Sequence, residues 1–439
     1  MTKRIASVAA TILVVLSPCC SEQDLEIVSE RETPQEECFT IPIETAMNNL
    51  EEHLQLFGIS NTKGDSFYTI SEVFPIMSNS EETKTTTSTT NTTAIYAVNF
   101  NEGGYAILSA DARISEPVLA YVGQGRVSED SFTYSSEESS VSSDDDISEE
   151  EYCKLLEEGY VGAEQPVRLI NKAILDYASE QIESYNDNHT TSDVGQWIVS
   201  ESIPEMLKTN WNQKTPFNDL SPKVGLFKRE KAAAGCIPIA LAQIIAYHEY
   251  PLILKAYGTT IDFGKIKQIC PTNDPGMDLG EIPDDYKEMA AKFVKNIGDN
   301  SLTLYGKFLG ETFGMSNPLN AALCLKILDY DDVKLHVGYN ENVVITSLKQ
   351  NHPVFICGIT HAWVIDGYQK KDYIVNDTVT NSSVLVHCNF GWKGAHDGYY
   401  TSGVFNTEQC VKRDHETLEE KVFNFKIICS TITYSLPWE

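Results

Sequence analysis

The sequence is poor in positive charge and lacks the patterns of a metal site. Its 439 residues include 33 Lys and Arg against 63 Asp and Glu, a formal net charge of −30. This excess repels nucleic acid and anionic membrane surfaces, so we expect no nucleic-acid partner. The eleven cysteines form no CxxC pair and no His/Cys spacing typical of zinc. Several, such as Cys324 and Cys357, lie in apolar runs, so we expect few or no disulfides and no metal site. The function expected below implies no organic cofactor either.

Long apolar runs are also scarce, and only the N-terminus carries one. Residues 1–20, "MTKRIASVAATILVVLSPCC", place Lys3 and Arg4 before an apolar stretch and two cysteines. This pattern predicts a signal peptide, and its final cysteines indicate the lipoprotein type, with Cys19 or Cys20 lipidated. An ordinary secretory signal is the alternative. Either way the protein is exported, as an outer-membrane or cell-surface lipoprotein or as a secreted protein.

The length of the chain favours more than one domain. The first part contains a helical pattern and three strand-like runs, at 95–100, 105–109 and 118–122, which predict a small antiparallel sheet. The predicted segments are the signal (1–20), a polar tether (21–39), a first domain (40–185), a linker (186–200) and a second domain (201–439).

A single cysteine stands behind a run of small residues in "KAAAGCIPIALAQIIAYHEY", residues 231–250. Pro238 suits the first turn of a helix, so we expect a helix from Cys236 to about Tyr250. A helix N-terminus can lower the pKa of a thiol and make the sulfur reactive near neutral pH. Taken alone, Cys236 fits a buried packing residue as well as a nucleophile.

A thiolate nucleophile needs an imidazole that holds its proton and delivers it to the leaving amine. His361 opens the strand-like "AWVIDGY" directly after the strand-like "VFICGI". A strand behind it would hold the ring at the edge of a cleft. The alternative is a histidine at a hairpin end that is bonded only to the backbone.

Three further residues could complete a catalytic set. In "LVHCNFGWKGAHDGYY" (385–400), the side chain of Asn389 is suited to accept a hydrogen bond from the imidazole, and Trp392 to shield that bond from water. A Gly-rich turn is the alternative for both. Gln213 in "TNWNQKTPFN", together with the amide of the nucleophile, is suited to stabilise an oxyanion. The four candidates occur in the chain order Gln, Cys, His, Asn, which supports a common catalytic role more strongly than any one of them alone.

With these motifs, the second half resembles the streptopain-like cysteine peptidases, papain-type enzymes made as secreted zymogens. The matching segments, in the family's order, are "LKTNWNQKTPFN", "AGCIPIALAQIIAYHEYP", "HAWVIDGY" and "CNFGWKGAHDGYY". The first half resembles the family's propeptide, chiefly through "YAVNFNEGGYAILSADARISEPVLAY", so the likeness covers most of residues 40–405.

The resemblance implies an α+β fold in which a small α+β prodomain (40–185) precedes a papain-like catalytic domain (201–439) with a helical part and an antiparallel sheet part. It implies these roles: Cys236 as nucleophile, His361 as base and acid, Gln213 in the oxyanion hole, Asn389 as orienting residue and Trp392 as shield.

Two departures from the family's pattern lie close to the expected site, and the long segment between His361 and Asn389 is a third, which suggests an enlarged hairpin around "NDTVTNSS". Phe390 stands where a tryptophan commonly follows the orienting asparagine, and "FGMSNPLNAAL" (313–323) replaces a Ser/Gly-rich loop beside the substrate pocket. The second departure leaves the subsite preference open. None of the three removes a core catalytic group.

The expected function is that of a cysteine endopeptidase made as a zymogen. Its partners would be protein or peptide substrates and its own propeptide as an intramolecular inhibitor, with processing near 186–200. One alternative is a catalytically silent surface binding or inhibitory protein that retains the fold. Another is a transglutaminase, but those enzymes normally orient the histidine with an aspartate, and Asn389 occupies that place here.

Overall fold

The computed structural model describes most of the chain after residue 38. The described residues are 39–59, 68–78, 92–133, 146–148, 151, 154–155, 161, 167–185, 195–274, 276–358, 360–405 and 429–439. The predicted signal peptide, all but residue 39 of the tether and residues 186–194 of the predicted linker lie outside them. Phe39–Glu439 forms one compact unit.

Helices and antiparallel strands alternate along these residues, which confirms the predicted α+β class. The helices are α1 (Ile43–Leu56), α2 (Val167–Ser184), α3 (Cys236–His248), α4 (Phe263–Ile266), α5 (Asp284–Asn300), α6 (Pro318–Ile327) and α7 (Glu341–Lys349). The strands are β1 (Ile70–Met77), β2 (Thr93–Phe100), β3 (Tyr105–Ser109), β4 (Val118–Val122), β5 (Gln196–Ile203), β6 (Lys223–Val224), β7 (Glu230–Lys231), β8 (Lys255–Ala256), β9 (Thr259–Thr260), β10 (Leu304–Phe308), β11 (Glu311–Met315), β12 (Asp331–Val337), β13 (Val354–Cys357), β14 (Ala362–Val375), β15 (Thr378–Asn389), β16 (Gly398–Thr401) and β17 (Ser430–Ser435).

The first part of the chain forms an antiparallel sheet, β1 to β4, between two helices. Successive side chains of a strand point to opposite faces. On β3, Ile107 shares a core with Ile174 of α2, and Leu108 shares another with Leu50 of α1. The three predicted strands are confirmed as β2, β3 and β4, whereas β1 was not predicted.

One antiparallel sheet joins the first and second halves. Its order is β1-β2-β3-β4-β16-β15-β14-β13-β17-β12, and β5 pairs with β14 off this path. The join is the pair β4 and β16, where Tyr399 lies opposite Tyr121. Since β5 spans Gln196–Ile203, the predicted boundary between residues 200 and 201 lies inside a strand, and the end of the predicted linker belongs to the sheet. The division into propeptide and catalytic domain stays a prediction.

Helix α3 is the centre of the helical part. Its residues from Cys236 to Ala246 are all buried, and their core includes side chains of α5, α6 and β14. A helix that is apolar on every side is stable only inside the protein, which fixes the position of its first residue. Within the described ranges, no helix is long and apolar enough to cross a membrane, and no group of three His, Cys, Asp or Glu side chains could hold a metal ion.

Candidate active site

Cys236 is the first residue of α3, as the sequence predicts. The residue before it, Gly235, has a φ of 99°, and a Cβ there would lie 2.9 Å from the main-chain oxygen of Gly314. Only glycine accepts both this dihedral angle and this close approach without strain. The glycine before the cysteine therefore lets strand β11 approach the start of the helix at Gly314.

The thiol of Cys236 is enclosed by the protein, with 2% of the residue exposed. Burial raises the pKa of this thiol to about 12, although the main-chain amides of Ala362, Ile237 and Cys236 itself act in the opposite direction. The helix N-terminus alone would lower this pKa, but loss of solvation is the larger effect in the full-length chain. The expectation of a lowered pKa is thus wrong for this form. The contact with Ala362 places the sulfur beside the residue that follows His361.

His361 lies directly before β14 and is fully buried. Its Nε2 is 2.8 Å from the main-chain oxygen of Phe390. Since a carbonyl only accepts, the proton of the neutral ring lies on Nε2. The Nδ1 atom is buried and has no hydrogen-bond partner among the described residues, so its lone pair is available as a base. Burial lowers the pKa of His361 to about 4, and the Phe390 carbonyl opposes this shift.

Asn389 does not make the predicted contact with His361. Its Oδ1 accepts hydrogen bonds from Nε2 of Gln243 at 2.9 Å and from the amide of Gly391 at 3.2 Å, while its Nδ2 donates to the carbonyl of Thr209 at 3.1 Å. The amide of Gly391 and the carbonyl of Phe390 belong to one peptide unit. Asn389 therefore acts on His361 through that peptide and does not touch the ring.

Gln243 is a functional candidate that the sequence reasoning missed. It is 1% exposed and lies on α3, and its Oε1 accepts from the hydroxyl of Thr209 at 3.1 Å and the amide of Trp211 at 3.3 Å. A buried polar side chain is retained where its hydrogen bonds are satisfied, as here. The signal in the sequence was a single polar residue within the apolar "IALAQIIAY".

Aromatic rings surround His361. The ring centroids of His361 and Trp392 are 4.7 Å apart with an interplanar angle of 33°, and Trp392 in turn stacks on Phe390 at 5.2 Å. Trp363 lies on β14, with its ring nearly parallel to that of His361 at 6.3 Å. The predicted position of Trp392 beside the imidazole agrees with this geometry. Phe390, which replaces the expected tryptophan, is itself 1% exposed.

Gln213 lies near the start of α3. Its main-chain oxygen accepts from the amide of Ala234 at 2.9 Å, two residues before Cys236. The residue is 7% exposed, and its side-chain Oε1 is buried without a hydrogen-bond partner among the described residues. The main chain of Gln213 is thus bonded to the segment that leads into Cys236, and its role in an oxyanion hole stays a prediction.

Comparison with known proteins shows what this chain is similar to. Residues 211–400 match the family described as "Peptidase C10 family", a range that includes all five predicted site residues. Streptopain of Streptococcus pyogenes is 24% identical over 359 residues, which cover 71% of this chain and 74% of streptopain. By these matches the chain is a cysteine peptidase that is similar to streptopain.

Two solved structures are also similar to this peptidase. A fragment of prointerpain A of Prevotella intermedia is 18% identical, with a TM-score of 0.47, and the match covers 78% of this chain and 96% of that one. Active interpain A of the same organism is 22% identical, with a TM-score of 0.38, over 53% of this chain and 95% of that one.

Proposed function

We propose that this peptidase is an exported cysteine endopeptidase made as a zymogen, with Cys236 as nucleophile and His361 as base and acid. One observation carries the assignment of the two residues. The bond from Nε2 of His361 to the carbonyl of Phe390 leaves Nδ1 as the base, and the thiol of Cys236 contacts the amide of the next residue, Ala362.

The reaction follows from these positions. Nδ1 of His361 takes the thiol proton, and the sulfur bonds to the scissile carbonyl carbon. The side-chain amide of Gln213 and the amide of Cys236 stabilise the oxyanion. As the C–N bond breaks, His361 gives its proton to the leaving amine. Water then attacks the thioester, which releases the acid product and restores the thiol.

Latency of the full-length chain is supported by the burial of both groups. Cys236 and His361 are 2% and 0% exposed, and burial favours the neutral form of each. The first half of the chain contributes to this burial. Val161 donates its amide to the carbonyl of Ser316 at 2.8 Å and shares a core with Cys236. Ser316 directly follows β11, whose Gly314 packs on the start of α3.

Export and lipid anchoring are supported by the N-terminal sequence. Lys3, Arg4, the apolar run and the cysteines at 19 and 20 form the pattern of a lipoprotein signal. Mass spectrometry of the protein made in a bacterial host with its signal would test the anchor. A diacylglyceryl mass on Cys19 or Cys20 supports it, and an unmodified secreted chain contradicts it.

The test of the peptidase function is the intact mass of the chain that begins at residue 21. It is incubated under reducing conditions with an epoxysuccinyl inhibitor of cysteine peptidases, before and after limited proteolysis, with Cys236→Ala as the matched control. We expect a shortened chain that carries one adduct on Cys236, and none in the control. A wild-type chain that stays unlabelled after proteolysis would instead favour the silent binding protein.

A further inference from the structure

Residues 390–397 form the turn that connects β15 to β16, and one carboxylate closes it. The Oδ1 atom of Asp397 accepts a hydrogen bond from the amide of Phe390 at 2.8 Å. The carbonyl of the same residue, Phe390, accepts the bond from Nε2 of His361. Asp397 is thus separated from the imidazole by a single residue of main chain.

The second oxygen of this carboxylate is anomalous. The Oδ2 atom of Asp397 is buried and has no hydrogen-bond partner among the described residues. A buried carboxylate oxygen without a partner is costly, and such groups concentrate where they have a function. A serine could bind the amide of Phe390 without a second polar atom left unpaired. The residue type therefore calls for an explanation beyond closure of the turn.

The titratable groups around Asp397 come from three strands. His387 and Cys388 lie on β15, Asp366 on β14 and Tyr400 on β16, and His387 is paired with Asp366 at 2.6 Å. Burial raises the pKa of Asp397 to about 7, with Asp366 acting in the same direction and the Phe390 amide and His387 in the opposite one. The carboxyl group can therefore change its charge close to neutral pH.

We propose that Asp397 is a positioning residue for His361, which its carboxylate holds in place through the main chain of Phe390. A hydrogen bond to a charged acceptor is shorter and stronger than one to a neutral acceptor. The ionised carboxylate therefore fixes Phe390 more firmly, and with it the carbonyl that orients the imidazole. Protonation at lower pH weakens this support. The inference rests on the proposed catalytic role of His361.

The test compares processed wild-type enzyme with Asp397→Ala and Asp397→Asn. The asparagine retains a neutral acceptor for the Phe390 amide but cannot ionise. We expect Asp397→Ala to lower kcat about tenfold, with KM changed less than about twofold, because one supporting hydrogen bond is lost. Asp397→Asn should recover kcat to within about threefold at pH 6. Its kcat should lack the rise that we expect of the wild type as pH increases through about 7.

Glu205→Gln is the matched control. Glu205 also faces His387 and accepts a hydrogen bond from the hydroxyl of Tyr399, but it does not contact Phe390. We expect its pH profile to follow that of the wild type. The inference is overturned if Asp397→Asn keeps the wild-type pH profile. It is also overturned if Glu205→Gln loses the rise of kcat near pH 7 as well. If Asp397→Ala does not fold, the profile of Asp397→Asn decides.

The inhibitor adduct on Cys236 distinguishes failure of this inference from failure of the proposed peptidase function. A wild-type enzyme without an adduct overturns both. A wild-type enzyme that carries the adduct, together with an unchanged kcat in Asp397→Ala, overturns only the role of Asp397.

Discussion

Nε2 of His361 lies 2.8 Å from the main-chain oxygen of Phe390, one residue beyond the asparagine that the sequence predicts as its partner. A main-chain carbonyl cannot be removed by substitution. The side chains that hold this peptide unit are therefore the positions at which the orientation of the imidazole can be tested.

Asn389 and Gln243 should act as one unit. Since Gln243 donates to the oxygen of Asn389 that receives the Gly391 amide, loss of either side chain weakens the support of the same peptide. We expect Asn389→Ala and Gln243→Ala each to lower kcat about tenfold, as for one lost hydrogen bond, and the double variant to lose little more. Steady-state kinetics of the four proteins give the coupling. Thr209→Val, which removes only a donor to Oε1 of Gln243, is the control. If the losses of the two single variants add up in the double variant, Asn389 and Gln243 do not act as one unit.

Cys236 should react slowly in the full-length chain. Burial raises the pKa of the thiol to about 12, so the neutral thiol predominates at pH 8. The rate of iodoacetamide labelling, followed by peptide mass spectrometry, should rise at least about tenfold once the first half is cut away. Cys236→Ser gives the background from the other cysteines. Equal rates before and after cutting would contradict burial as the cause of latency.

Acid should destabilise the fold through its buried histidines. Burial lowers the pKa of His53 to about 3 and those of His248 and His361 to about 4, below the ordinary 6.5. Between pH 6.5 and 4 the unfolded chain binds more protons at these sites, so the free energy of unfolding falls as pH falls. The pKa of His387 is raised, and its contribution runs in the opposite sense, lost as pH rises above 6.5.

Urea midpoints at pH 7, 5.5 and 4.5 measure this slope. His53 lies on α1, remote in sequence from the catalytic residues, with its Nε2 2.9 Å from Oε1 of Gln369. We expect His53→Gln to make the dependence on pH shallower, since one of the three groups no longer titrates. A slope as steep as that of the wild type would show that His53 does not contribute.

Gly398 should be required where the two halves join. A Cβ at this position would lie 2.6 Å from the carbonyl of Tyr121 and 2.8 Å from Cα of Val122, both on β4. We expect Gly398→Ala to destabilise the full-length chain by about 1–3 kcal/mol, the usual cost of overpacking. Thermal unfolding measures this. Gly123→Ala, where nothing lies within 4 Å of the added Cβ, is the control. Similar melting temperatures for the two variants would contradict the prediction.

Local patterns predicted the local features well. The start of α3 at Cys236 follows from Pro238 and the small residues before it, and β2 to β4 follow from β-branched and aromatic runs. β1 contains Pro75 and lies at the edge of the sheet, where proline is tolerated but the strand pattern is weak. β5 is largely exposed, and its start was predicted as part of the linker. Its pairing with β14 depends on a partner about 170 residues away, which no local pattern reveals.

The two errors at the site have a common physical cause. The pKa of Cys236 depends on how completely other parts of the chain exclude water from the thiol, and no local motif encodes that. The partner of His361 is a main-chain atom, which every residue possesses, so no residue type marks it. Sequence identifies side chains that can do chemistry, while solvation and main-chain contacts emerge only from the assembled fold.

The junction of β4 and β16 has a consequence for the enzyme after cleavage. If the first half leaves, the main-chain groups of Gly398 and Tyr400 that face β4 become an open edge, and such an edge pairs readily with any available strand. The detached fragment carries β4, the strand that already pairs with this edge. Cutting the chain and releasing the fragment are then separate events, and dilution, which favours dissociation, would govern how fast a population of cut molecules gains full activity.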